Sequence, residues 1–311
     1  GRGEVRAPEG QEKVREMVGD ADILIEDFEL GGLGKYGRDD DSLSKITPGL
    51  IYCAITGFGQ TGPYAHRAGY DYIIQGMSGI MDLTGDPEGE PQKIGVAFAD
   101  IFTGLYGVIA IQAALAQRER SSIGQHIDMS LFDSMVGVLG NQAMNYLISG
   151  VAPKRMGNIH PNIAPYQVFP VSDGHLIIAV GNDGQFQRFC NALGLEDLSQ
   201  NSDYSSNAAR VANREALTLA ISAYTTQIKR DDLLRILESA GVPAGPINTL
   251  EDVFSDPQVI ARNMKIDVTQ DGSEGKTLPG SRTPIRFSEA NLCLEKVAPR
   301  LGEHTKEVLG D

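Results

Sequence analysis

The chain has 311 residues, of which 41% are hydrophobic, enough for a large core and two domains. A formal net charge of −14 argues against nucleic acid or an anionic membrane as a partner, because both need a surplus of Lys and Arg. It leaves room for a small anionic ligand, which needs only a few local cations.

Pro8 to Val18 reads as a helix, with Val14, Met17 and Val18 on one face. Asp22 to Ile25 reads as a short buried strand, Ser42 to Ile46 as a short helix, and Leu50 to Ile55 as a second strand. The Gly-rich segment Gly57 to Gly62 follows. Ile101 to Arg118 is a long helix, Gln125 to Met129 a strand, and Leu131 to Ile148 another helix. Alternation of this kind points to a parallel α/β sheet. The character changes near Gly150. Tyr166 to Val171 and His175 to Val180 flank Asp173-Gly174, a hairpin signal. Helices follow at Asn213 to Tyr224 and Asp231 to Ala240, the second stopping at Gly241 ahead of Pro243. Gln270 to Lys276 is a polar loop. The expected organisation is a large domain over 1–149, a smaller α+β domain over 150–265, and a linker with a C-terminal tail over 266–311.

Cys53, Cys190 and Cys293 are widely spaced and form no CxxC, so they are no disulfide framework. A reducing compartment fits, the cytosol or an organelle matrix. No apolar stretch follows Gly1 to Glu4, so no signal peptide is visible. The most apolar helical stretch, Leu105 to Ala116, is too short to span a bilayer. The five histidines have no metal-ligand spacing, and neither a GxSxG elbow nor a P-loop is present.

Gly57-Phe58-Gly59-Gln60-Thr61-Gly62 is a literal GxGxxG after a strand, with Asp82 where a ribose-binding acid would belong. Pro63 and Gly69 break the helix that a dinucleotide site needs. The segment is read instead as a loop whose bare backbone approaches a ligand. Asp100 stands at the junction of Gly95 to Ala99 with the long helix. It is either a helix N-cap or a carboxylate held ionised by the helix dipole and amides, ready to attack an acyl group.

Several ordered stretches carry a resemblance. They are Ile25 to Phe28, Gly57 to Tyr64, Ala68 to Asp71, Ala99 to Tyr106, Gly124 to Asp128, Gly241 to Pro246 and Leu301 to Thr305. Together they resemble the family III CoA-transferases, the group of formyl-CoA and carnitine CoA-transferases. The resemblance implies a Rossmann-like large domain, a small domain interrupting it, a C-terminal tail that returns, and an interlocked homodimer. It implies further βα units ahead of residue 1. It makes Asp100 the nucleophile, passing through an acyl–aspartyl anhydride and an aspartyl-CoA thioester, with loop amides stabilising the oxyanions. It places Asp27, Phe28 and Lys35 at the CoA site, Gly57, Phe58, Gly59 and Gln60 beside the thioester, and Tyr70 and Asp71 near the nucleophile. Coenzyme A enters as substrate, with no permanently bound cofactor. Gly157 to Tyr166 looks most like members acting on succinate and glutarate. Three other functions compete: an α-methylacyl-CoA racemase, a nicotinamide-dependent oxidoreductase, and a non-catalytic acyl-CoA-binding protein. The first needs a His where Tyr70 stands, and His66 is close enough in sequence to keep it open.

Overall fold

The computed structural model describes residues 8–269, 277–292 and 298–309. They divide into two compact units, one ending at Gly157 and the other beginning at Asn158. The loop expected over Gln270 to Lys276, Cys293, and the Gly1 to Glu4 start lie outside the described residues.

The first unit is built on a parallel sheet in the order β1 (Ile23–Glu26), β2 (Ile51–Thr56), β3 (Gln125–Ser130). β2 is the central strand, and Ile51, Tyr52, Cys53 and Ala54 are all buried. An unbroken apolar run is what a strand covered on both faces requires. Its alternate residues serve different layers. Tyr52 and Ala54, with Leu50 just before the strand, pack with Val18 of α1 (Pro8–Gly19) and Leu43 of α2 (Asp40–Leu43). Ile51 and Cys53 pack with Ile111 and Ala114 of the long helix on the opposite face.

After β2 the chain forms α3 (Asp71–Met77), α4 (Ile80–Leu83) and α5 (Phe98–Ser121). β3 leads into α6 (Leu131–Gly137) and α7 (Gly140–Ser149). Three sequence expectations are corrected. α2 lies earlier than Ser42 to Ile46, because the chain turns after Leu43 and reaches Pro48. The helix expected over Leu131 to Ile148 is two helices, parted where Gly140 takes a left-handed φ of 57°. α5 runs 24 residues, beyond the expected Ile101 to Arg118 at both ends, so by length and composition it is long enough to cross a membrane, unlike the stretch Leu105 to Ala116 taken alone. Here it lies on β2, with Ile111 and Ala114 buried against the sheet.

The second unit contains an antiparallel sheet, β4 (Tyr166–Val171), β5 (Gly174–Ala179) and β6 (Ala244–Gly245). The hairpin turns at Gly174, whose φ of 149° favours glycine. Helices α8 (Asp183–Leu193), α9 (Glu196–Gln200), α10 (Asn207–Ala212), α11 (Arg214–Thr225) and α12 (Arg230–Ser239) follow. Phe169, Leu176, Ile178, Phe189, Leu217 and Leu237 form their shared core. Arg210 is fully buried and satisfied by the Ala164 and Tyr204 carbonyls and by Asp183 at 2.8 Å. A further antiparallel pair, β7 (Lys265–Thr269) with β8 (Thr277–Ser281), lies beyond. Cys53 and Cys190 are free and buried, and burial pushes the Cys190 thiol up to about 12.

Candidate active site

A cleft of about 470 Å³ opens at the carboxyl end of β2, where parallel α/β sheets place ligands. Asp100 lines it together with Asp27, Phe28, Gly57, Tyr70 and Asp71. Six of the ten residues singled out in the sequence therefore share one cavity, although they come from four separate segments.

Asp100 is the third residue of α5, not its cap. The cap position is Ala97, which makes no side-chain capping bond. What holds the start of the helix is Asp71, in the first turn of α3. Its Oδ1 accepts the Ala99 N–H at 2.7 Å, and its Oδ2 accepts from Gln75 Nε2 at 2.8 Å. Gln75 is completely buried. Its Oε1 accepts the Ile94 N–H at 2.9 Å, and its Nε2 also reaches the Val96 carbonyl at 3.3 Å. One Asp–Gln pair, four residues apart on a helix, thus pins residues 94–99, immediately ahead of Asp100.

The electrostatics differ from the expectation of a dipole-stabilised carboxylate. Partial burial, with the nearby Asp71 charge second, raises the Asp100 pKa above the ordinary carboxylate value. Among the described residues nothing donates a hydrogen bond to its oxygens. The shift makes the carboxylate more basic than an ordinary Asp. That suits a nucleophile.

The glycine loop is arranged for packing as well as access. A Cβ on Gly57 would lie 2.5 Å from Gly69 Cα, so two stretches of backbone meet where only glycine fits. No helix starts at Pro63; the next one begins at Asp71, so the dinucleotide geometry is absent. The Gly59 N–H donates to Thr56 Oγ1 at 2.9 Å, and the Gln60 N–H to both Asp128 oxygens at 3.1 and 2.9 Å. Those two amides are committed within the protein. Phe58 is buried against Ile74, Ala99, Leu131 and Met135. Lys35 lies in a neighbouring cavity of about 580 Å³, which it shares with Asp27, Phe28 and Arg38. Phe28, 53% exposed, stands between the two cavities.

Sequence reasoning missed Arg67 as a residue of the cleft wall and Gln75 as the buried partner of Asp71 behind it. For Gln75 the signal was available in its four-residue spacing from Asp71. For Arg67, next to Ala68-Gly69-Tyr70, there was none. Among the described residues no cluster of His, Cys, Asp and Glu could hold a metal.

The sequence model of CoA-transferase family III matches residues 4–305. The chain belongs to CoA-transferase family III. It is 54% identical over 308 residues to a succinate–glutarate CoA-transferase of Agrobacterium fabrum, covering 99% of this chain and 76% of the relative. It is 39% identical over 305 residues to a succinyl-CoA:glutarate CoA-transferase of Mus musculus, covering 98% and 70%. A CAIB/BAIF family protein from Brucella suis has a solved structure that superposes with a TM-score of 0.83 at 62% identity, over 99% of this chain and 79% of that one. Rv3272 from M. tuberculosis matches in fold, with a TM-score of 0.87 at 25% identity over 97% and 81%. The oxidoreductase and binding-protein readings fall with the family assignment: this CoA-transferase has no dinucleotide helix after its GxGxxG.

Proposed function

We propose that this CoA-transferase moves CoA between small dicarboxylic acids, with succinyl-CoA as donor, through covalent intermediates on Asp100. The observation that carries the mechanism is Asp100 itself, a carboxylate of raised pKa with no hydrogen-bond partner among the described residues, in the first turn of α5 and on the wall of the cleft. Its ionised oxygen attacks the thioester carbonyl, the C–S bond breaks, and CoA leaves as thiolate. The thiolate attacks the aspartyl carbonyl of the anhydride and releases the donor acid as carboxylate. An acceptor carboxylate then attacks the aspartyl-CoA thioester, and the returning thiolate resolves the second anhydride into new acyl-CoA and free Asp100. Asp27, Phe28 and Lys35, grouped around the adjoining cavity, are assigned to the CoA moiety.

Dicarboxylate choice rests on the names of the relatives, which include succinate–glutarate and succinyl-CoA:mesaconate transferases. The remaining assignments are a homodimer, a cytosolic or organelle-matrix location, no nucleic acid or membrane partner, and no resident cofactor.

The test is to mix the protein with succinyl-CoA and glutarate, then trap with hydroxylamine and map the product by mass spectrometry. Glutaryl-CoA should form and a hydroxamate should appear on Asp100. Modification of another carboxylate, or full activity in Asp100→Asn, would refute the assignment. His66 lines the same cleft, which keeps a racemase reading in view. Deuterium wash-in at Cα of 2-methylacyl-CoA without any transfer would favour that reading.

A further inference from the structure

The charged groups on the wall of the Asp100 cleft are unbalanced. Asp27, Glu29, Asp71 and Asp100 contribute carboxylates, and Arg67 is the only Lys or Arg among the lining residues. A diacid entering this cleft brings one carboxylate to the reaction and a second that must be paired or left to repel its surroundings. Arg67 has no ion pair among the described residues. Its position is nonetheless fixed. The guanidinium carbon lies 4.6 Å from the Tyr64 ring centroid and 5.3 Å from that of Phe58. The two rings meet edge to face at 5.6 Å. A guanidinium held over aromatic faces spends none of its N–H groups on that contact, and those groups can grip a carboxylate with two hydrogen bonds.

The platform is tied to the nucleophile. Phe58 is 8% exposed and packs in one cluster with Ile74 and Ala99, and Ala99 immediately precedes Asp100. The ring that carries the cation and the turn that carries the nucleophile thus belong to one rigid core. This rigidity lets the separation between cation and reacting carboxylate select an acid by length. We infer that Arg67, seated on Phe58 and Tyr64, binds the distal carboxylate of the dicarboxylic substrate and determines the preference for diacids over monoacids. This rests on the dicarboxylate reading above. It also gives Phe58 a role as the floor beneath the specificity residue rather than as a contact to CoA.

The experiment compares kcat/KM for glutarate and for pentanoate, which differ by the distal carboxylate, in the wild type, Arg67→Gln and Arg67→Lys. Succinyl-CoA is the donor throughout, and its KM is measured too. Because the covalent mechanism is ping-pong, kcat/KM for the acceptor is independent of donor binding. Arg67→Gln should lose about 10- to 100-fold for glutarate, the scale of one charged hydrogen-bonded pair, and leave pentanoate unchanged. Arg67→Lys should recover part of that loss, since it keeps the charge without the fork. Equal losses for both acids, with a lowered Tm, would make Arg67 structural and overturn the inference. A raised KM for succinyl-CoA with the glutarate-to-pentanoate ratio unchanged would assign Arg67 to CoA and also overturn it. If the wild type itself does not prefer glutarate, the dicarboxylate reading fails and takes this inference with it. A wild-type preference that survives in Arg67→Gln sinks the inference alone.

Discussion

Asp100 shows how one residue's environment sets both its reactivity and its cost. Burial first, and the Asp71 charge second, raise its pKa. The acid limb of the transfer rate should therefore lie above the pH at which an ordinary aspartate titrates, with activity lost as pH falls through it. Asp71→Asn removes the like charge, so that limb should move to lower pH while most of the burial effect persists. The same change weakens the hold on Ala99, so kcat should fall as well. A pH profile of kcat/KM for both proteins is the check; an unmoved limb would show that Asp71 acts by position alone. The linkage to stability has a definite sign. A carboxyl that binds its proton more tightly in the folded state favours folding in its protonated form, so ionisation at neutral pH costs stability. Asp100→Asn should accordingly abolish transfer and leave Tm at pH 7.5 equal or higher, as measured by thermal denaturation. A clear drop in Tm would mean that the ionised carboxylate stabilises the fold.

At the scale of elements, the loop after β2 is a joint between strand, α3 and α5. Gly57 and Gly69 touch through their backbones, and the Gln60 amide is clamped by Asp128 near the end of β3. Gly57→Ala has no room for its methyl, because the obstacle is backbone and cannot rotate away. The loop must part, at a cost of about 1–3 kcal/mol, the range typical of overpacking. Urea denaturation should register that loss, and transfer activity should fall with it. Gly62→Ala is the control: its Cβ would meet nothing within 4 Å, though its φ of +88° still carries strain. Equal stability of Gly57→Ala and the wild type would show that the backbone contact is not required.

At the scale of the whole molecule, α5 carries Ile101, Leu105, Val108 and Ile109 at 49–63% exposure, beside the residues it buries on the sheet. Apolar side chains in such number on one helix support the homodimer proposed above, in which another surface covers them. Light scattering across a dilution series should show a dimer that persists to low concentration. A stable folded monomer would contradict it.

The sequence by itself determined the parallel α/β character, because periodicity separates a strand buried on both faces from an amphipathic helix. β2 was legible as Leu50 to Ile55, and the hairpin β4–β5 as two apolar runs around Asp173-Gly174. It also singled out Asp100, through its place ahead of a long apolar helix and through the ordered motifs around it. Helix ends were less legible. The break at Val138–Leu139 depends on the backbone angle of Gly140, and the start of α5 at Phe98 depends on a carboxylate 27 residues earlier in the chain. Only the tertiary structure decided that Asp71 and Gln75 brace the start of α5 beside Asp100, that Gly59 and Gln60 have spent their amides, and that Arg67 is the cation among the residues lining the cleft. The bonds of Ala99 to Asp71, Ile94 to Gln75 and Gln60 to Asp128, and the contact of Arg67 with Phe58, join segments separated in sequence or depend on side-chain directions set by packing. Local pattern carries neither kind of information.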